Sequence, residues 1–311
     1  MLKLEDKRYN SNLIYYYYKD AEESLKAFKD LANPVVLSIA TFRKWNKTTM
    51  IHVLDSSRIP QDWGDWPERL QFRVYRYDQL GNETFKNGRD KFCYGMLSKP
   101  SVIFRHVREN IQHHSTVIVC DSDVFFVQNP FPLAVDHTRG ICCSLENVGY
   151  WYFMNGGYDG EMNDAHKILE LWSGLCAGAF INPHFKARLA ERCKWDETIV
   201  QEEAVFWYLQ KVCPDLLIKD IPYTENFWFD WPGEVYDTRK VKNLHYRVWR
   251  THGKMKRSER GKLCLHVKEL RKILLDMLSP PEIHELYDGW ITKDVFSMHD
   301  AATVNEFLGP F

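Results

Sequence analysis

Neither sign of charge is in excess: 41 Lys and Arg stand against 42 Asp and Glu, for a formal net charge of -1. Nucleic-acid binding draws on a broad positive field, so that class drops away. One local basic cluster remains, "THGKMKRSERGK", Thr251 to Lys262. No stretch approaches the roughly 18 consecutive apolar residues of a membrane helix, so no membrane span is expected. The opening "MLKLEDKRYNSNLIYYYYKD" lacks the apolar core of a signal peptide. The eight cysteines form no C-x-x-C pair and no Cys/His grouping with zinc-finger spacing. They read as free buried thiols in a reducing compartment, and the vicinal Cys142-Cys143 as small strand residues. Two Asn-x-Thr triplets, at Asn46 and Asn82, are of the kind that chance supplies, and do not establish secretion. There is no internal repeat, low-complexity tract or Pro/Gly-rich linker.

What is present suits a folded domain. Apolar residues make up 45% of the 311 and charged residues 27%, enough for a sizeable core without disulfides or a structural metal. "DAEESLKAF" has early acids and later lysines, so Leu13 to Leu31 reads as a helix ended by Asn33-Pro34. "VVLSIA", Val35 to Ala40, reads as a short buried strand, followed by "MIHVLD", Met50 to Asp55, and "FRVYRY", Phe72 to Tyr77. "SKPSVIFRHVREN" reads as a helix with Ser98 near its cap and Pro100 in its first turn. Strands are expected at "TVIVC", "GICCSL", "CAGAFINP" (Cys176 to Pro183) and "VKNLHY" (Val241 to Tyr246). A helix is expected at "EEAVFWYLQKV", Glu202 to Val212, and a mostly helical tail after Gly261. Strands alternating with helices predict an α/β fold, a mostly parallel central sheet flanked by helices, with ligands outside the carboxyl ends of the strands.

One stretch stands out. "TVIVCDSDVFFVQNPF", Thr116 to Phe131, is a buried strand that stops on two aspartates one residue apart. Asp121 and Asp123 together offer oxygens to a hard cation such as Mg2+ or Mn2+, which binds oxygen ligands and shares them with substrate phosphates. The plainer reading is an Asx-rich turn with solvated acids.

The order strand, Asp-Ser-Asp, apolar run, Asn129-Pro130-Phe131 resembles the DxD segment of GT-A glycosyltransferases, in the clan that holds the glycogenin-like and plant arabinosyl- and xylosyltransferase-like families. "CAGAFINP" resembles the Asn-Ala/Ser-Gly strand that lies along the donor sugar in those families, which implies donor contacts at Ala177 and Gly178. Cys176 stands where Asn is common. "WDETIVQEEAVFWYLQK" resembles the helix start that carries an acid or amide near the reacting carbon, which implies Glu202 or Glu203. "NLHYRVWRTHGKMK" resembles the late metal-ligand segment, with His245 or His252 as the ligand and Lys254 on the diphosphate. Upstream, Ala40, Thr41 and Phe42 are the candidates for contact with the base, and Lys99 for donor oxygens. The resemblance covers about residues 35 to 256. It implies a GT-A catalytic domain there, an N-terminal helical segment over 1–34 and a C-terminal helical extension over 257–311.

The implied activity is transfer of a hexose or pentose from a UDP-linked or other nucleotide sugar to a hydroxyl of a glycan or glycoprotein acceptor. Mn2+ or Mg2+ is the implied cofactor. These families mostly retain configuration and then need no strong general base; an inverting enzyme would need one. Glu202, Glu203 and Asp159, in the loop "NGGYDGEMND", are the candidates for that role. "WYF", Trp151 to Phe153, and "ENFWFDWPGEVYD", Glu225 to Asp237, read as acceptor-side loops. A nucleotide-sugar pyrophosphorylase or phosphohydrolase is the rival class, but "SIATFRKW" lacks the glycine-rich loop such enzymes carry near the first strand. A non-catalytic sugar-binding module is a third reading, disfavoured by the intact aspartates. With no anchor in view, a cytoplasmic setting is expected, the host cell's cytoplasm if the gene is viral.

Overall fold

The computed structural model describes residues 11–18, 32–57, 60–77, 88–144, 147–156, 164–194, 200–222, 225–228, 241–245, 272–283 and 286. In chain order, the strands are β1 (Ser11–Tyr17), β2 (Met50–Asp55), β3 (Phe72–Arg76), β4 (Thr116–Cys120), β5 (Val124–Phe126), β6 (Ile141–Ser144), β7 (Asn147–Met154), β8 (Ile218–Asp220), β9 (Asn226–Trp228) and β10 (Asn243–His245). The helices are α1 (Ala32–Trp45), α2 (Trp66–Arg69), α3 (Gly88–Asn110), α4 (Asp164–Ile181), α5 (Pro183–Cys193) and α6 (Glu202–Val212). Residues 272–275 and 280–283 are also helical.

Among the described residues, seven strands form the main sheet, in the order β3-β2-β1-β4-β7-β6-β8. The pairs β1–β2, β2–β3, β1–β4 and β6–β8 are parallel, while β7 runs antiparallel to both β4 and β6. A second sheet, β5-β10-β9, carries the chain that leaves β4. Helices cover the main sheet, as the alternating pattern predicts.

β1 shows how the sequence builds both cores. Its residues alternate faces, as a pleated strand requires. Leu13, Tyr15 and Tyr17 enter one apolar cluster with α1, while Ile14, Tyr16 and Tyr18 enter the other with α3 and α4. A strand buried on both faces reads as a continuous apolar run, and "LIYYYY" is one.

Several expectations are corrected here. Leu13 to Leu31 was expected as a helix and "VVLSIA" as the first strand; instead, Ser11–Tyr17 is the strand and "VVLSIA" lies inside α1, while residues 19–31 lie outside the described residues. β1 therefore sits mid-sheet, although it comes from the stretch assigned to an N-terminal helical addition. Aromatic and branched residues favour strand at 11–17. A six-residue apolar run does not by itself distinguish strand from buried helix. "CAGAFI", expected as a strand, ends α4. The buried residues of α4 are Ala165, Ile168, Leu169, Trp172, Ser173, Cys176 and Ala179, a helical period. The expected helix around Pro100 is present but begins at Gly88, so Ser98 is no cap and Pro100 lies within it. Trp151 to Phe153 belong to β7 and are buried, so they form no acceptor loop. Of "ENFWFDWPGEVYD", 225–228 is described and includes β9; the remainder lies outside the described residues.

Candidate active site

β4 delivers Asp121 to its carboxyl end, and the chain then turns so that Asp123 enters β5. β10 pairs antiparallel with β5 and sets His245 opposite Val124. His245 Nε2 lies 3.1 Å from Asp123 Oδ1 and 3.9 Å from Asp121 Oδ2. One ligand atom from each of the three residues lies within 4.8 Å of the others.

The backbone of β7 closes the back of this cluster. Gly149 O accepts from Asp121 N at 2.7 Å. A Cβ on Gly149 would lie 2.1 Å from His245 Cε1 and 2.7 Å from Asp121 Oδ2. Only glycine lets the strand approach so closely.

Lys99 projects from α3 to the other side. Its Nζ donates to Asp121 Oδ1 at 2.5 Å and to Glu202 Oε1 at 3.2 Å. Its side chain is 2% exposed. Burial alone would lower its pKa, but Asp121 and then Glu202 outweigh that and raise it, so Lys99 stays charged. Glu202 begins α6 and is buried. Burial pushes its carboxyl up from 4.5 to about 7, against the pull of Lys99. A carboxyl near about 7 is only part ionised at neutral pH, so Glu202 balances the charge of Lys99 less fully than Asp121 does. The closer Asp121 supplies most of the compensation for Lys99, and Glu202 is left the weakly paired member. Glu202 Oε2 is buried with no hydrogen-bond partner.

The donor set suits a divalent cation. Two carboxylates and an imidazole are oxygen and nitrogen ligands of the kind divalent cations take, with no thiolate among them. The glycine contact leaves the three side chains converging on one point rather than on bulk packing.

Several expected site residues fall elsewhere. Ala40, Thr41 and Phe42 are fully buried in α1 rather than set at the end of a strand. Ala177 and Gly178 belong to α4, where Gly178 faces Phe185 of α5 at a Cβ distance of 3.6 Å. Glu203 is half-buried in the first turn of α6. Asp159, His252 and Lys254 lie outside the described residues. Gly149 was missed. Its signal is "NVGYWYFMN", Asn147 to Asn155, an Asn-x-Gly followed by an apolar run and Asn.

No protein-family model matches the chain, and no curated protein matches it by sequence. Solved structures do match by shape. The galactosyltransferase LgtC, in complex with donor and acceptor sugar analogs, is 12% identical with a TM-score of 0.51, over 88% of this chain and 99% of that one. The chain has a GT-A glycosyltransferase fold. The glycosyltransferase GlyE of Streptococcus pneumoniae TIGR4 is 12% identical with a TM-score of 0.47, over 86% of this chain and 63% of that one. The present chain thus spans less than two thirds of GlyE. Mouse xyloside xylosyltransferase 1 is 11% identical with a TM-score of 0.41, over 76% and 96%. Within the GT-A frame, Asp121 and Asp123 stand where the main sheet passes the chain to the small sheet, at a strand's carboxyl end where α/β sheets bind ligands. No helix among the described residues is long and apolar enough to cross a membrane.

Proposed function

We propose that the chain is a metal-dependent glycosyltransferase that moves a sugar from a UDP-linked donor to a hydroxyl of a glycan or glycoprotein acceptor, with retention of configuration. The observation that carries this is the convergence of Asp121, Asp123 and His245, linked through Lys99 to Glu202, in a GT-A fold. Asp121, Asp123 and His245 would hold Mn2+ or Mg2+, and a cation bound there offsets the charge of a leaving diphosphate. Lys99, itself buried, fixes the half-buried Asp121 carboxylate through an ion pair. Glu202 offers its unpartnered Oε2 to a donor-sugar hydroxyl, which would satisfy an otherwise costly buried acceptor. The sequence resemblance implies Glu203 as the alternative to Glu202 near the reacting carbon, His252 as the alternative metal ligand and Lys254 on the diphosphate; Asp159 is a further candidate base. We place the activity in the cytoplasm.

A panel of UDP- and GDP-sugars tests this. One UDP-sugar should be hydrolysed slowly in the presence of Mn2+ and not with a chelator. Asp123→Ala should lower that rate by about a hundredfold or more, since the metal's charge stabilisation amounts to several kcal/mol. If no nucleotide sugar is bound or turned over with Mn2+, the reading is wrong.

A further inference from the structure

β5 follows the aspartates directly, and among the described residues only β10 pairs with it. Ladder groups alternate between the two edges of a strand. Val127 N bonds Lys242 O on the β10 side at 2.9 Å. The groups of Val124 and Phe126 therefore turn to the opposite edge, which has no strand among the described residues. A buried edge left in that state costs about 1–3 kcal/mol per unmet group.

Helix α1 meets that edge with side chains. Ser38 Oγ donates to Val124 O. Thr41 Oγ1 accepts from Phe126 N at 3.0 Å. Trp45 Nε1 donates to Phe126 O at 3.0 Å. Positions 38, 41 and 45 lie on one face of a helix. The protons can be placed. Ser38 spends its single proton on Val124, so Tyr15 of β1 donates to Ser38 Oγ, 2.6 Å away. Thr41 spends its own on Ser38 O at 2.7 Å, leaving its oxygen free to accept from Phe126. Tyr15, Ser38 and Thr41 are all fully buried.

We infer that Ser38, Thr41 and Trp45 act as a substitute neighbouring strand that sets the position of β5, and so the spacing of Asp123 from His245 at the metal site. They are positioning residues. They hold the register of β5 against β10, in which His245 faces Val124, the residue after Asp123. This rests on the metal reading proposed above. It also gives the hydroxyl of Thr41 a task, in place of the base contact expected from the sequence.

Mn2+ affinity, read as loss of the free-ion electron paramagnetic resonance signal, tests the inference alongside thermal melting. Thr41→Val keeps the side-chain shape and removes the acceptor. It should weaken Mn2+ binding about ten- to a hundredfold, the range found when groups behind metal ligands are removed. Thr41→Ser should restore it, and Ser38→Ala should act like Thr41→Val. Val107→Ala, in the buried face of α3, serves as a control that lowers stability away from β5; it should leave Mn2+ affinity unchanged. Wild-type affinity in Thr41→Val, with a melting loss like the control's, would overturn this inference and leave the metal reading standing. A wild-type protein that binds no Mn2+ overturns both.

Discussion

Lys99→Met is the most informative single change. Methionine keeps the length of the lysine stem and removes its charge. The Asp121 side chain is 34% exposed, so water takes over much of its solvation when Lys99 is lost. Glu202 is 6% exposed and has no such recourse. In the wild type, Glu202 titrates near about 7 rather than 4.5, because burial outweighs Lys99. For an acid raised in this way, folding favours the protonated form. Its contribution is fully present below pH 4.5 and is lost as pH rises through about 7. That step is worth roughly 3 kcal/mol at about 1.4 kcal/mol per pH unit. Without Lys99 the carboxyl titrates higher still, and the alkaline penalty grows. The stability gap between wild type and variant should be small near about pH 5. It should widen toward about 3–5 kcal/mol near about pH 8.5, the range for breaking a buried pair. Urea denaturation at the two pH values, with a chelator present, measures it. A gap that is equal at both values, or larger in acid, would refute the reasoning.

Gly149→Ala should abolish Mn2+ binding by calorimetry while costing about 1–3 kcal/mol of stability, since the new methyl meets His245 and Asp121 at 2.1 and 2.7 Å; an unchanged isotherm would remove Gly149 from the site. Arg43 donates to the carbonyls of Leu70, Asn46, Thr49 and Gln71 at 2.8, 3.2, 2.8 and 2.6 Å, so Arg43→Met should lose about 3 kcal/mol or more in urea denaturation. His52 and His106 form a buried chain from Asn12 to Tyr77, and burial lowers them to about 4 and about 3. Held neutral, they stabilise above the ordinary 6.5, and that contribution is lost as pH falls through about 4. The His52 step is worth about 3 kcal/mol. Melting should therefore drop between about pH 6 and pH 4, and His106→Leu should flatten that limb.

Local signals were legible where the chemistry is local. "TVIVCDSD" shows a buried strand ending on two acids, because strand and carboxylates adjoin in sequence. "NLH" shows a short apolar strand ending on histidine, and His245 is where the strand-end reading put it. "EEAVFWYLQKV" is a helix with acids in its first turn, as its pattern predicts. "VVLSIA" and "CAGAFI" were misread because short apolar runs with small residues carry no decisive period. Their helical state follows from longer segments and from which face each buries.

The sequence by itself determined an α/β fold and the carboxylate pair Asp121 and Asp123 at a strand end. The pair depends on residue types within a few positions of one another, whereas the choice of His245 as its partner rests on the pairing of β10 with β5. Tertiary structure decided the rest, because those contacts join residues far apart in the chain. Lys99 finds Asp121 and Glu202 across 22 and 103 positions. Gly149 matters only because β7 runs back along β4 and meets His245. Thr41 meets Phe126 only once α1 packs on the open edge of β5, 85 positions on. Spacing along a chain records local geometry, whereas these roles come from packing and buried charge, which arise only when distant segments exclude water together.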